Sequence, residues 1–497
     1  MNLIWIVSMF HEYVHRFVPT LPMFQVYWSN GAQIIPPHDA GIARGIDVSL
    51  KPWSTYGDVS TPEALIDIFG KGKCADGRPL VEDFTDTLGN SYFTELQSKL
   101  CAHPKENAAS TLKVVYTAMH GIGAPWFKRG FAAFGLPPPI SVTEQEAPDP
   151  SFPTVAVISS RLHATFALAH SLIPSRVSAL VQFPNPEEGA GALKLAMAVA
   201  DANGAQLVLA NDPDADRLAV AEKSANGSWV VLTGDQIGVL LADWELTKYQ
   251  SRPADSRKPA AMLSTAVSSR MIATLAANAG CYWEETLTGF KWLCSRAAEL
   301  RREGYDVLLC YEEAIGFCVG DVVNDKDGVS AGAVFAEMAC YLKRERSSSV
   351  LEHLQHLYAT HGAYTQNNSY VICRNPETTA AIFHRLRADG KYWLRLGELR
   401  IEWVRDLTTG VDTDRPDGRA TLPLSSSSHM ITYRFSNGAT VTLRGSGTEP
   451  KIKWYAESRG SMAATTRAAI ATELEVIVKL IIEEMLQPQQ NHLEMRA

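Results

Sequence analysis

Short apolar runs recur along the chain, and turn-forming residues separate them. Runs rich in Val, Leu, Ile and aromatic residues predict β-strands, because such side chains pack well on a half-buried pleated surface. The clearest examples are TLKVVYTAM, AQLVLA, RLAVAE, YDVLLCY, ATVTLR and KIKWYAE. Between them lie stretches with helical periodicity.

Two helices are predicted most clearly. Thr61–Gly70 begins with a hydroxyl cap, a proline and an acid, and continues with apolar residues to a glycine. Near the C-terminus a longer amphipathic helix precedes Pro488, and its apolar stripe is Ile470, Leu474, Ile477 and Ile481. Helices mixed with strands predict an α/β fold of several domains.

One segment lacks a regular pattern. Residues 151–186 contain no Asp or Glu, although acids are common on both sides. We therefore interpret the part near 156–181 as an insertion in its domain; a buried helix pair is the alternative. The serine runs Ser347–Ser349 and Ser425–Ser428 are predicted to be loops.

Length and charge exclude several classes of protein. The chain has 497 residues, which is too long for one core, and its net charge is −8. Without a basic excess, nucleic acid is not an expected partner. The N-terminal apolar run is short and soon meets His11, Glu12 and Arg16, so neither a signal peptide nor a membrane span is expected. The eight cysteines include no C-x-x-C pair, which favours reduced thiols and a cytoplasmic location. The oligomeric state is left open.

The stretch LANDPDADRLAV contains the strongest chemical signal. Asp212, Asp214 and Asp216 alternate between two apolar runs, so they are predicted to lie in a loop at strand ends and to bind Mg²⁺. A calcium-binding EF-hand is excluded, because Arg217 and Lys223 occupy the positions of its obligatory Gly and Glu. The adjacent arginine indicates an anionic ligand.

Two further motifs suit a sugar phosphate. RGSGTEPK places glycines and hydroxyls between Arg444 and Lys451, which predicts a phosphate-binding loop. Adjacent glutamates in YEEAIG, together with DKDG and the upstream TGFK, provide groups that can bind sugar hydroxyls. A metal site, hydroxyl-binding groups and a phosphate-binding loop together indicate phosphoryl transfer. This reaction depends on positioning the substrate and neutralising the charge of its phosphoryl group.

These motifs resemble the α-D-phosphohexomutase superfamily, and most closely its phosphopentomutase/phosphoglucomutase branch. The matching strings run in family order: YWSNGAQIIPPHDAGI, TAMHGIG, FPNPEEG, LANDPDADRLAVAEK, ETLTGFKW, EEAIGF, DKDGVSAG, RDLTTG and GSGTEPKIKWYAE. The resemblance implies a Mg²⁺-dependent mutase that interconverts sugar 1-phosphates with 5- or 6-phosphates of ribose, deoxyribose or glucose. Its partners would be sugar phosphates and a sugar bisphosphate.

The resemblance also implies roles for individual residues. Asp212, Asp214 and Asp216 would bind the metal, and Arg217 would support the active site. Lys326 is a candidate for proton transfer or charge stabilisation. The residues implied to face the sugar are Thr288, Gly289, Lys291 and Glu312, and those implied to hold the substrate phosphate are Arg444, Ser446, Gly447, Thr448 and Lys451.

The resemblance also implies four domains along the chain. They are an incomplete phosphoserine domain (1–108), a metal-binding α/β domain with the insertion (109–232), a sugar-binding α/β domain (233–362) and a phosphate-binding α+β domain (363–497).

The chain departs from the family pattern in several places. Residues 1–24 contain no TASHNP-like serine loop, Gln25 replaces a lysine, and Gly445 replaces a threonine. These departures and the insertion lead to the hypothesis of an altered reading frame. We therefore expect impaired catalysis, with a non-catalytic sugar-phosphate-binding homologue or a truncated inactive product as the alternative. A phosphatase or sugar kinase is disfavoured, because no alternative nucleophile or G-x-x-x-x-G-K-[ST] loop is found.

Overall fold

A computed structural model describes residues 5–7, 25–51, 77, 83–154, 185–425, 428–446, 450–460 and 464–495. The predicted helix Thr61–Gly70 and the predicted insertion near 156–181 lie outside these residues. The chain divides into two compact units. The first comprises Met1–Val231, Phe290–Glu299 and Gly316–Arg344, and the second comprises Leu232–Gly289, Leu300–Ile315 and Glu345–Ala497.

The helices are His38–Asp47, Thr85–Lys99, Pro104–Ala108, Gly123–Ala133, Ala190–Asn203, Gly234–Ser251, Met271–Asn278, Phe290–Arg302, Gly328–Arg346, Val350–His361, Pro376–Arg387 and Ala464–Leu480, the last followed by a π-helical turn Ile481–Leu486. Single 3₁₀ turns are Thr143–Gln145, Pro186–Glu188, Ala254–Ser256 and Ala388–Gly390. No helix in the described part of the chain combines the length and apolarity needed to cross a membrane.

The strands are Trp5–Val7, Gln25–Tyr27, Val114–Thr117, Ile140–Ser141, Leu207–Ala210, Ala219–Lys223, Trp229–Val231, Ala260–Thr265, Tyr282–Thr286, Asp306–Glu312, Gly316–Val319, Ala363–Ile372, Arg395–Leu396, Leu399–Asp406, Val411–Asp412, Met430–Phe435, Thr440–Gly445, Lys451–Gly460 and Glu494–Met495. Each of the six runs predicted to be strands contains or overlaps one of these strands, so those predictions are confirmed. The fold is a mixed α/β architecture, as predicted.

The first unit contains a sheet of five strands, the "first sheet". Its order is Ile140–Ser141, Val114–Thr117, Leu207–Ala210, Ala219–Lys223 and Trp229–Val231. The first three strands are parallel to one another, and each of the last two is antiparallel to the strand before it. The two longest parallel strands are buried along their whole length, as expected where helices cover both faces. The segment between Leu207–Ala210 and Ala219–Lys223 is the aspartate motif.

The second unit contains two further sheets. In the "second sheet" the strands Tyr282–Thr286, Ala260–Thr265 and Asp306–Glu312 are parallel, with Ala260–Thr265 in the middle and entirely buried. Helix Gly234–Ser251 begins with a capping box, in which Thr233 and Gln236 exchange side-chain and backbone hydrogen bonds.

The "long sheet" of the second unit has eight antiparallel strands between Ala363 and Met495. Helices Pro376–Arg387 and Ala464–Leu480 bury Phe383, Leu474 and Ile477 against it. The predicted C-terminal helix is therefore confirmed, and its apolar stripe does face a core. Ser349, in a serine run predicted to be only a loop, caps the following helix Val350–His361.

Candidate functional site

The aspartate motif forms a tight loop between a parallel and an antiparallel strand of the first sheet. Ala215 adopts a left-handed conformation (φ 61°), and its N–H donates to the carbonyl oxygen of Asp212 at 2.9 Å. This turn brings the side chains of Asp212, Asp214 and Asp216 together. One oxygen from each carboxylate lies within 4.8 Å of the others, which is a spacing that a single cation can bridge.

Neighbouring glycines allow the backbone to approach this loop closely. A Cβ atom on Gly121 would lie 2.2 Å from the Cα of Pro213, and one on Gly328 would lie 2.3 Å from the carbonyl oxygen of Arg217. Asn211 donates from its amide to that same carbonyl at 2.6 Å. The two glycine-containing motifs TAMHGIG and DKDG are thus explained by contact with the aspartate loop.

Two cations are paired with the carboxylates. Arg217 donates from Nε to Asp212, and the ammonium of Lys326 lies 2.7 Å from an oxygen of Asp216. Arg217 also lies 3.3 Å from the amide oxygen of Asn185, in the FPNPEEG motif. The structure therefore brings five of the predicted site residues together in the first unit: Asp212, Asp214, Asp216, Arg217 and Lys326.

The crowded carboxylates resist ionisation. Burial, together with the charges of Asp212 and Asp216, raises the pKa of Asp214 to about 8. Burial also raises the pKa of Asp216 to about 6, although Lys326 opposes the shift. A bound divalent cation would remove this repulsion, so the chemistry of the donor set fits Mg²⁺, which prefers oxygen ligands.

His120, within TAMHGIG, directly follows a predicted strand and precedes Gly121, a sequence context that favours a structural histidine over a general base. It is buried, and its Nε2 lies 2.7 Å from the hydroxyl of Thr154. Burial lowers the pKa of His120, against the opposing effect of Asp149. The contacts thus support the structural interpretation over that of a general base.

Three of the four residues predicted to face the sugar lie at or just after the carboxyl ends of parallel strands of the second sheet. Thr288 and Gly289 come after Tyr282–Thr286, and Glu312 ends Asp306–Glu312. The carboxyl ends of parallel strands lie at one edge of a sheet, which is where α/β proteins place ligands. Gly289 has φ 104°, which a residue with a side chain rarely adopts. Lys291, two residues on, belongs to the first unit, and its ammonium lies 5.7 Å from the ring centroid of Trp292.

The sequence groups Glu313 with Glu312 as a possible ligand for sugar hydroxyls, and it does not predict the hydrogen bonds that Glu313 makes within the protein. Its Oε2 accepts hydrogen bonds from the hydroxyls of Thr265 and Ser268 at 3.3 and 3.2 Å. Its N–H donates to Ser268 Oγ at 3.0 Å. These bonds fix the backbone next to Glu312. The only signal in the sequence was the hydroxyl-rich TAVSS segment after a strand.

Glu285 anchors the strand that leads to Thr288. Its carboxylate pairs with Arg405 and, at 3.0 Å, with Arg270. Although burial opposes them, the two guanidinium groups lower the pKa of Glu285 below its usual value. The RDLTTG and ETLTGFKW motifs are therefore connected by a buried ion pair within the second unit.

The predicted phosphate-binding motif lies between two paired strands of the long sheet, Thr440–Gly445 and Lys451–Gly460. Arg444 lies directly opposite Lys453, and the N–H of Ser446 donates to the carbonyl of Lys451 at 2.9 Å. Because side chains alternate along a strand, Arg444, Lys451 and Lys453 share one face of the sheet. Lys451 also lies over the ring of Tyr370, 4.3 Å from its centroid. Gly447 and Thr448 lie outside the described residues. Lys453 was not predicted; its alternation with Lys451 was the available signal.

Comparisons with known proteins agree with these motifs. The family description "Phosphoglucomutase/phosphomannomutase, alpha/beta/alpha domain II" matches residues 90–176 and 168–227, and the corresponding domain III description matches residues 233–360. The phosphopentomutase of Homo sapiens is 41% identical over 479 residues, which cover 95% of this chain and 72% of that protein. The glucose 1,6-bisphosphate synthase of Homo sapiens is 39% identical, and the match covers 95% of this chain and 70% of that protein. The probable phosphoribomutase of Schizosaccharomyces pombe is 39% identical, with 95% and 73% covered.

Solved structures share the fold at lower identity. The open form of the phosphoglucomutase pp63/parafusin from Paramecium superimposes with a TM-score of 0.55 at 17% identity, covering 94% of this chain and 75% of that one. A putative phosphomannomutase from Thermus thermophilus gives a TM-score of 0.54 at 16% identity, covering 93% and 75%.

Proposed function

The chain belongs to the α-D-phosphohexomutase superfamily, and on this basis we propose that it is a phosphosugar mutase that requires Mg²⁺. The observation that carries the proposal is the convergence of three carboxylates, paired with Arg217 and Lys326, in one loop of the first unit. Mg²⁺ bound to these carboxylates would neutralise charge on a phosphoryl group. The fourfold domain division described from the sequence stays a prediction.

We assign the remaining groups to the substrate. The hydroxyl of Thr288, the backbone at Gly289, the ammonium of Lys291 and the carboxylate of Glu312 are proposed to bind sugar hydroxyls. Arg444, Ser446, Gly447, Thr448 and Lys451 are proposed to bind the ester phosphate, with Arg444 able to donate two parallel hydrogen bonds. Lys453 joins this set because of its position opposite Arg444.

The substrate class follows from the relatives. Because similar proteins carry the names phosphopentomutase, phosphoribomutase and glucose 1,6-bisphosphate synthase, pentose and hexose phosphates are both proposed ligands, together with a sugar bisphosphate. The alternative is a sugar-phosphate-binding homologue without catalytic activity. Residues 1–24 contain no TASHNP-like loop, so the serine implied by the family resemblance is missing from the polypeptide to be assayed.

We therefore expect these 497 residues to bind sugar phosphates but not to isomerise them. Preorganised charge accelerates transfer only when a phosphoryl group is available to be transferred. Purified protein should be assayed with ribose 1-phosphate and glucose 1-phosphate, Mg²⁺ and glucose 1,6-bisphosphate, and should show no turnover above the blank.

A second form of the protein provides the positive test. Joining a family serine segment ahead of Val26, and deleting 156–181, should produce turnover that Asp214→Asn abolishes. Robust turnover by the unmodified chain, also lost in Asp214→Asn, would show that another residue carries the phosphoryl group. Failure of the joined form to bind any sugar phosphate would contradict the proposed function itself.

A further inference from the structure

Two tyrosine hydroxyls contact the carboxylates on either side of Lys326. Tyr27 donates to Oδ2 of Asp325 at 2.6 Å, and Tyr92 donates to Oδ2 of Asp327 at 2.5 Å. Both tyrosines are remote from Lys326 in sequence, and all five residues belong to the first unit. We call this arrangement the tyrosine clamp.

The clamp continues into the backbone on the N-terminal side of Lys326. Oδ1 of Asp325 accepts the N–H of Lys326 at 2.8 Å, while Gln33 donates to Oδ2 at 2.8 Å. Asn324 donates to the carbonyl oxygen of Asn30 at 2.9 Å. The segment from Gln25 to Gln33 therefore holds the loop immediately before the lysine.

The C-terminal side is held as well. The N–H of Asp327 donates to the carbonyl of Phe317 at 2.9 Å. Oδ1 of Asp327 accepts the N–H of Val329 at 3.0 Å, which caps helix Gly328–Arg346. The main chain of Lys326 is thus anchored on both sides.

This anchoring limits where the lysine ammonium can go. A lysine side chain can adopt many rotamers, so a fixed backbone is needed to keep its ammonium in one place. That ammonium lies 2.7 Å from Asp216, and the side chain is only 17% exposed. It therefore contacts a carboxylate that a bound cation would also use.

We infer that Tyr27 and Tyr92 are positioning residues that hold Lys326 on Asp216, where its ammonium competes with the metal ion and lowers the affinity of the aspartate loop for it. The inference rests on the proposed metal site. The strands and helices that carry the tyrosines would then regulate the metal loop without contacting it.

The test uses variants that remove only the hydroxyls. In Tyr27→Phe and Tyr92→Phe, Mg²⁺ affinity measured by calorimetry on the full chain should rise, by roughly tenfold when both are combined, since each lost bond is to a charged group. Lys326→Met should raise the affinity similarly, and adding Tyr27→Phe to Lys326→Met should give no further rise. Tyr364→Phe is the matched control, because its hydroxyl bonds Thr274 at 2.6 Å in the second unit.

A second readout does not depend on metal. Acylation of lysine amines, followed by mass spectrometry, should label Lys326 several-fold faster in either tyrosine variant than in the unmodified protein. Lys113, whose ammonium donates to the carbonyl of Asn203 in the same unit, should be labelled at an unchanged rate. Either single variant suffices if the other does not fold.

The outcomes separate the two proposals. If Mg²⁺ binds and Asp214→Asn weakens it, but the tyrosine variants keep the original affinity and labelling rate, the clamp is overturned. If Mg²⁺ does not bind at all, the metal site is wrong, and the labelling rate alone decides whether the tyrosines hold Lys326. Additive effects of Tyr27→Phe and Lys326→Met would also overturn the inference.

Discussion

At the scale of single residues, the electrostatics of the site are clearest at Asp214. It lies between two other carboxylates and is largely enclosed, so its ionised form is unfavourable unless a cation is present. Arg217 and Lys326 offset part of the charge by pairing with Asp212 and Asp216. We therefore expect Asp214 to bind a cation, and two predictions follow from this expectation.

Replacing Asp214 by Asn should weaken Mg²⁺ binding by at least tenfold, because one negative ligand is removed from the centre of the loop while its size is kept. Calorimetry on the folded variant measures this. Asp201→Asn is the control, since Asp201 is an exposed acid of the same unit that pairs with Lys223. Equal affinities for the two variants would contradict the assignment of the loop as the metal site.

The pH dependence follows from the raised pKa values. With pKa values of about 8 for Asp214 and about 6 for Asp216, the folded protein binds more protons than the unfolded chain between about pH 4 and about pH 8. Stability of the metal-free protein is therefore lost as pH rises through this window. Because protons compete with the metal, affinity should fall by up to about tenfold per pH unit below the pKa of Asp214.

Thermal unfolding checks this prediction. Mg²⁺ should raise the melting temperature more at pH 8.5 than at pH 5.5, and the difference should shrink in Asp214→Asn. A metal-induced shift that is the same at both pH values would mean that these carboxylates do not exchange protons for the ion.

At the scale of elements, the paired strands Thr440–Gly445 and Lys451–Gly460, which are proposed to bind phosphate, show how strand register places charged side chains. Arg444 and Lys453 face each other across two antiparallel strands, and Lys451 follows on the same face. Like charges directly opposite are unfavourable in a sheet, which is expected where an anion is to be bound. The buried partners on the other face, Ile452 and Trp454, fix this register against the core.

Removing one cation of these strands should therefore weaken anion binding. Arg444→Ala should lower affinity for glucose 6-phosphate by about tenfold or more, since a charge-assisted pair of hydrogen bonds is lost. Arg434→Ala is the control. Arg434 lies on the strand Met430–Phe435, next to the strand of Arg444, and pairs with Asp414. Affinity should be read from calorimetry at fixed ionic strength. An equal loss in the control would show that only general charge matters.

At the scale of the whole molecule, family motifs continue on both sides of 156–181. FPTV precedes this segment and FPNPEEG follows it, and both lie within the part Met1–Val231 of the first unit. The helix Ala190–Asn203 after it packs Leu193, Ala196 and Ala200 into a core. If the segment is an insertion, the first unit should not depend on it.

Deleting 156–181 should leave the free energy of unfolding within about 1 kcal/mol and Mg²⁺ affinity unchanged, because loop length alters closure entropy only slowly. Denaturant titration and calorimetry measure the two quantities. Deleting 190–203 instead should abolish folding, since buried side chains would be lost. A comparable collapse on removal of 156–181 would show that the segment is part of the domain.

The sequence alone determined the local features of this protein. Apolar runs predicted the strands Leu207–Ala210 and Lys451–Gly460, because period and composition act over a few neighbouring residues. The spacing of Asp212, Asp214 and Asp216 predicted a cation site, since three carboxylates within five residues have few other reasons to occur together.

Only the tertiary structure decided which distant residues support these motifs. Tyr27 bonds Asp325 across 298 positions, and Arg405 reaches Glu285 across 120. Lys453 shares a face with Arg444 because of strand register, and Glu313 is held by hydroxyls from a neighbouring strand end. Such contacts depend on how elements pack, and packing minimises the free energy of the folded chain as a whole. No local pattern of residue types encodes them.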